Sequence, residues 1–282
     1  MAFIIGHFSI PQFIFSQEDT WSYTVTPNIN LPLSIKSDVT VIGITETINT
    51  NTNDLLNLNK AFTFSLRFEA RRNASGFYTE YNLIFAEDTR SIQNYPLPPT
   101  LAALINNRFN LPVTLPPGTP ASARINVFGS STTFDLGFFS RVIDISAGSF
   151  ENTRYYLEPH AALRFSTIYS RIHFNLDLAD IPVLDVWPST LDYHQMFLFG
   201  LTTGFYATDS WSADLKADFS VSPLGPARKY AFSLMPTISY KLSNVVSIEA
   251  GYQLRYLEYE QDQIGLVQEM HALHIGARLN LN

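Results

Sequence analysis

Apolar and polar residues alternate along this chain with a period of two, most plainly between Ala61 and Phe85. Phe62, Phe64, Leu66, Phe68 and Ala70 share one parity, and Thr63, Ser65, Arg67, Glu69 and Arg71 the other. Successive strand side chains point to opposite faces, so this stretch predicts a strand with one oily and one charged face. After the turn Asn73-Ala74-Ser75, the pattern resumes, with Phe77, Thr79, Tyr81, Leu83 and Phe85 set against Tyr78, Glu80 and Asn82. Trp21 to Leu33 alternates without error. Arg124 to Val142, Tyr155 to Ser166, Tyr193 to Phe205, Trp211 to Val221, Tyr230 to Tyr240, Val246 to Tyr256 and Leu273 to Leu281 follow the same rule, and Asp38 to Asn49 follows it less regularly. Most of these segments reach the roughly 9 to 11 tilted residues that cross a bilayer, longer than the about 5 to 6 usual in globular strands.

The pattern predicts an all-β fold, a single antiparallel transmembrane β-barrel of ten to twelve strands. Eleven strands are legible, and single-chain bacterial barrels use even numbers, so twelve is the preferred count. A first strand through Phe3 to Phe15 restores parity. The alternative is to split the segment near Thr167, where the apolar parity flips to Ile172, Phe174, Leu176 and Leu178 and a bulge or second strand is expected. Connections alternate between tight (Ser34 to Ser37, Asn73 to Ser75, Thr208 to Ser210, Leu242 to Asn244) and longer (Thr52 to Lys60, Ser91 to Ala123, Ala179 to Thr190, Ser222 to Arg228, Gln261 to Gln268). Short turns belong to the periplasmic side and long loops to the outside. Ser91 to Ala123 carries seven prolines and reads as one long loop with a helical turn near Thr100 to Arg108. Residues 1–282 are expected to form one barrel domain. Met1 to Gln17 is either its first strand or an unstructured segment, since it lacks the charged start and small-residue cleavage site of a secretory signal.

Composition sharpens this. Aromatics reach 14% and charged residues only 15%, well below the roughly 25% of soluble domains, yet mean hydropathy is close to zero. An apolar outer face averaged against a polar lumen gives that combination. No apolar run is long enough for a membrane helix. The absence of cysteine excludes disulfides and thiolate metal sites, and the net charge of −7 argues against nucleic acid as a partner.

The candidate chemistry lies on the polar faces. Seven cations (Arg67, Arg71, Arg141, Arg164, Lys216, Arg255 and Arg278) stand against seven carboxylates (Glu69, Glu80, Asp135, Glu158, Asp214, Asp218 and Glu249). Ions in a narrow lumen persist only when paired and hydrogen-bonded, so the balance points to a mutually neutralising network rather than a charge-selective pore. His160, His194 and His274 also fall on polar faces, where hydrogen-bonded lumen histidines are expected rather than a metal site or proton relay. Arg67, Glu69 and Arg71 on one strand face read as an ionic ladder rather than a catalytic cluster. Trp21, Trp211, Tyr155, Tyr156 and Tyr230 stand near strand ends, as girdle aromatics do. No catalytic residue, metal ligand or cofactor is assigned.

Four stretches resemble the signatures of uncharacterised, porin-like bacterial outer-membrane β-barrel proteins. They are the W-x-Y-x-x-x-P-x-x-x-L-P of Trp21 to Pro32, the F-E-A-R-R of Phe68 to Arg72 with Gly76-Phe77-Tyr78, the E-P-H-A-A-L-R-F of Glu158 to Phe165, and the A-G-Y-Q-L-R-Y-L-E-Y of Ala250 to Tyr259. The resemblance runs from about Trp21 to the C-terminus and implies an integral barrel of the bacterial outer membrane, inserted by the barrel-assembly machinery, with no catalytic residues to carry over. The expected role is a narrow passive channel for small polar solutes or a closed structural barrel surrounded by outer-membrane lipids. An outer-membrane lipid-modifying enzyme and a soluble lipocalin-like binder are the alternatives.

Overall fold

The computed structural model describes residues 20–41, 44–50, 61–96, 120–146, 153–178, 181–186, 189–222, 228–261 and 264–281, with scattered positions between 99 and 118. Among the described residues thirteen strands form one antiparallel sheet: β1 (Trp21–Val41), β2 (Ile44–Thr50), β3 (Ala61–Arg72), β4 (Ser75–Pro96), β5 (Pro120–Ser140), β6 (Ile143–Ser146), β7 (Arg154–Leu178), β8 (Ile181–Val186), β9 (Ser189–Tyr206), β10 (Trp211–Val221), β11 (Arg228–Lys241), β12 (Val246–Gln261) and β13 (Ile264–Leu281). The wall runs β13-β12-β11-β10-β9-β7-β5-β4-β3-β1 and closes by pairing β1 with β13, from Tyr23 opposite Leu281 to Val41 opposite Ile264. Every other ladder in the wall joins neighbours along the chain, so this seam alone joins its two ends.

Ten strands therefore make the barrel, not twelve. Three short strands prolong wall strands instead of adding to them: β2 pairs with β1 above the reach of β3, while β6 and β8 pair with β7 beyond the ends of β5 and β9. The expected turn at Ser34 to Ser37 is the interior of β1, marked only by a register shift between Pro32 and Ser34. The Asp38 to Asn49 strand is the top of β1 plus its hairpin partner β2. No break occurs near Thr167, which pairs with Thr132 and Tyr193 in unshifted ladders. The parity flip there marks a strand rising above the bilayer, where lipid no longer dictates which face is apolar. The Pro-rich loop is shorter than Ser91 to Ala123, because β4 and β5 pair as far as Pro96 and Pro120. Within it Pro99, Ala102, Ala103, Asn106 and Asn107 are helical, as the helical turn required. Gln261 to Gln268 is mostly strand as well. The N-terminal strand through Phe3 to Phe15 and the Thr52 to Lys60 connection lie outside the described residues.

The tight end is built by local chemistry. Asn73 takes a left-handed φ of 56° in the two-residue turn between β3 and β4, a conformation that asparagine tolerates and primed hairpin turns require. Thr208 and Ser243 accept backbone N–H bonds in the β9–β10 and β11–β12 turns through their hydroxyls. At the other end the rim is uneven. β10 has 11 residues, about one bilayer crossing, whereas β4, β5 and β7 have 22, 21 and 25. The wall thus continues well beyond the membrane on the long-loop side.

The outer face is apolar all the way round. Phe68, Phe77, Leu136, Phe138, Leu163, Phe199, Leu201, Leu215, Ile238, Ile248 and Ile275 are all exposed. Near the tight end Trp211 packs 4.7 Å from Tyr240, and Tyr155 4.7 Å from Phe205 (ring centroids), forming part of an aromatic girdle. Tyr156 does not belong to it: this ring is buried in the lumen, where its hydroxyl donates to Asp214 at 2.6 Å.

Candidate functional site: the ionic lumen

Residues of the opposite parity converge on the barrel axis and line a cavity of about 230 Å³. Thirteen of the fourteen sequence-assigned charges line it, and the remaining one, Asp135, is only 1% exposed behind Arg164. Each carboxylate has found a partner. Arg67 donates to Glu69 (2.6 Å) and Glu80 (3.0 Å). Arg164 clamps Asp135 with two nitrogens at 2.8 and 2.7 Å. Glu158 accepts from Arg71 at 2.7 Å and lies 3.4 Å from the Arg141 guanidinium as an ion pair. Arg278 lies 3.3 Å from Glu249 and 3.7 Å from Asp214.

The most consequential contact is Lys216 to Glu80. The lysine rises from β10 and the glutamate from β4, with β9, β7 and β5 between them along the wall, yet Nζ and Oε2 are 3.0 Å apart. The same ammonium is 3.3 Å from Asp218, whose other oxygen is 2.7 Å from His160 on β7. A side-chain bridge therefore crosses the lumen and ties β3, β4, β10 and β7 together. Lower down, Arg278 on β13 reaches Asp214 on β10, and Arg71 on β3 reaches Glu158 on β7, each past two intervening wall strands. Guanidinium groups also stack on lumen rings: Arg67 lies 4.2 Å from the Tyr78 centroid, Arg71 4.4 Å from Phe139 and Arg141 4.1 Å from Tyr156.

Room for this network comes from inward glycines. A Cβ on Gly200 would sit 2.2 Å from His160 Nε2 and 2.5 Å from Asp218 Oδ1; one on Gly204 would meet Tyr156 and Asp214. Glycine adds nothing to an alternation of apolar and polar side chains, so this role is silent in the pattern, although Gly200 and Gly204 share the polar parity of β9 and leave that face without bulk.

The histidines separate. His160 pairs with Asp218, and His274 sits between Asn30 (2.8 Å) and Glu249 (3.2 Å). His194 contacts Lys229 Nζ, which lies 4.6 Å from the Tyr259 ring centroid. Among the described residues no three metal-ligating side chains gather. Lys229 and Tyr259 received no place in the lumen from the sequence because they fall just beyond the strands expected at Tyr230 to Tyr240 and Val246 to Tyr256. The expected seven-to-seven pairing also differs in detail: six of the cations, with His160, His274 and Tyr156, satisfy all seven carboxylates. The seventh cation, Arg255, makes no hydrogen bond or ion pair among the described residues.

No family model and no curated protein matches the chain. Solved structures to which it is similar include the outer membrane protease OmpT of Escherichia coli, at 10% identity and a TM-score of 0.49, covering 92% of this chain and 97% of that one. Others are an outer membrane channel from Pseudomonas putida F1 (8% identity, TM-score 0.34, 97% and 100% covered) and a FadL homologue from Pseudomonas aeruginosa (11%, 0.32, 93% and 90%). The class follows from the molecule itself. A closed antiparallel barrel of ten strands, apolar outside, ionic within, with tight turns at one end and tall strands at the other, is a transmembrane barrel of the kind found in bacterial outer membranes.

Proposed function

We propose that this chain is an outer-membrane barrel whose lumen is closed at rest by its own ion pairs, and that its work is non-catalytic: holding a tall rim of strands outside the membrane. The tight turns face the periplasm, and outer-membrane lipids contact the aromatic and aliphatic belt. Insertion belongs to the barrel-assembly machinery. One observation carries the reading: the Lys216–Glu80 bridge across the lumen. An open pore keeps its walls apart and its charges hydrated, whereas here opposite walls meet through desolvated side chains that also engage Asp218, His160 and Arg67.

The second reading, a narrow path for small polar solutes, draws on the cavity of about 230 Å³ beside this bridge. Planar-bilayer recording of the refolded protein separates the two. The closed barrel gives no stable current steps until Lys216→Ala and Glu80→Ala are combined, which removes the bridge without leaving either charge unpaired. Stable steps from the unaltered protein at low voltage would replace the closed reading with the channel.

A further inference from the structure

Each of the seven lumen carboxylates already has an ionic or hydrogen-bonding partner, and Arg255 is the one of the seven cations without one among the described residues. Its guanidinium lines the lumen cavity with Gln253 on its own strand and Ser233, its cross-strand partner on β11. The groups acting on it through space are Arg164, which repels it, and Asp135, Glu80 and Asp218, which attract it but are held by Arg164, Arg67, Lys216 and His160. Arg164 has two nitrogens committed to Asp135, and its third reaches only Ser220 at 3.4 Å. Arg255 is half-buried on the cavity with no side-chain partner among the described residues, and its planar fork suits two oxygens of one anion. A neutral donor stands beside it, the Gln253 amide, whereas the Ser233 hydroxyl is turned to Asp218 at 3.5 Å.

We propose that the lumen binds a small soluble oxyanion, of the phosphate, sulfate or carboxylate type, on Arg255, with Arg164 as a second positive group sharing the cavity. The barrel wall separates this cavity from the bilayer, so the anion is a free solute rather than a lipid headgroup. The inference holds whether the lumen is closed or conducting at rest, because it rests on the pairing of the lumen charges alone.

The test is calorimetric titration of inorganic phosphate into the protein refolded in non-ionic detergent, with chloride at matched ionic strength as the control. Saturable one-site binding is expected, accompanied by a phosphate-dependent rise in the heat-unfolding midpoint. Arg255→Gln should weaken binding roughly tenfold to a hundredfold, the value of charge-assisted hydrogen bonds, and abolish the midpoint shift. Arg255→Lys, which keeps the charge but loses the fork, should fall between them. Because Arg255 supports no other side chain, both variants are expected to keep the heat-modifiable gel migration of a folded barrel. Unsaturable heats with the unaltered protein, or equal binding by Arg255→Gln, would overturn the proposal.

Discussion

Replacing Asp135 with alanine isolates what the lumen network contributes to stability. Asp135 is 1% exposed and accepts two guanidinium bonds of 2.8 and 2.7 Å from Arg164. Without it Arg164 retains Ser220 at 3.4 Å and lies in the same cavity as the unpaired Arg255. Two unit charges about 4 Å apart at an effective dielectric near 20 interact by about 4 kcal/mol. Truncating one member of a buried pair typically costs about 3 to 5 kcal/mol, because the surviving charge stays desolvated. The expected loss for Asp135→Ala is therefore roughly 3 to 5 kcal/mol. It is measured as the drop in urea midpoint of the refolded barrel in detergent, followed by tryptophan fluorescence at constant m value. Adding Arg255→Gln should return part of that loss, since it removes the second uncompensated guanidinium, whereas Arg255→Gln alone should leave the midpoint unchanged or slightly raised. An unchanged midpoint for Asp135→Ala would refute the reasoning, for it would mean the lumen is wet enough to solvate Arg164 without its partner.

Gly200→Ala should destabilise by roughly 1 to 3 kcal/mol, as overpacking does, because its methyl group would enter the His160–Asp218 contact; the same urea titration reads it, and a neutral result would show that the pair can move aside. Phe138→Arg, on the outer face where Phe138 is 59% exposed, should cost about 2 to 4 kcal/mol in vesicles of bilayer-forming lipid and much less in detergent micelles. Equal costs in both media would argue against lipid contact at that position. Asn73→Val places a β-branched residue at a φ of 56° and should cost about 1 to 2 kcal/mol, whereas Asn73→Gly should be neutral or stabilising; hairpin stability in the same unfolding assay decides between them.

What the sequence revealed was set by how strictly each position is constrained. Within the membrane belt every outward residue meets lipid and every inward residue meets the lumen, so period-two parity assigned Arg67, Glu80, Arg164 and Lys216 to the interior without coordinates. Above the belt both faces of the wall leave lipid. There the constraint lapses, which is why Asp38 to Asn49 reads as a separate strand when it is the top of β1 with a hairpin arm, and why the flip near Thr167 suggests a break that the ladders do not contain. Prolines misled in the same region: Pro96 and Pro120 close a ladder at its outer end, where a missing N–H costs little. Beyond the Arg67–Glu69 step of the expected ionic ladder, the partners of the lumen charges were not legible. Parity gives the side of the wall, but the meeting of Lys216 with Glu80 depends on how ten strands are wrapped around a common axis. The surplus of Arg255 was equally hidden, because an equal count of opposite charges does not say that histidine and tyrosine will take the place of one arginine.

The seam between β1 and β13 has a consequence for how this molecule is made. Each other ladder in the wall forms between strands that follow one another in the wall's chain order, while Tyr23 must find Leu281 across nearly the full length of the chain. Until it does, the sheet carries two bare margins whose amide and carbonyl groups have no acceptor or donor in hydrocarbon. Contacts of such sequence separation form slowly, so nine ladders can stand ready while the last waits. Entry into the bilayer and zipping of that seam must then occur as one event at a protected margin, which makes the first and last strands, rather than any residue in the lumen, the part of the chain on which biogenesis turns.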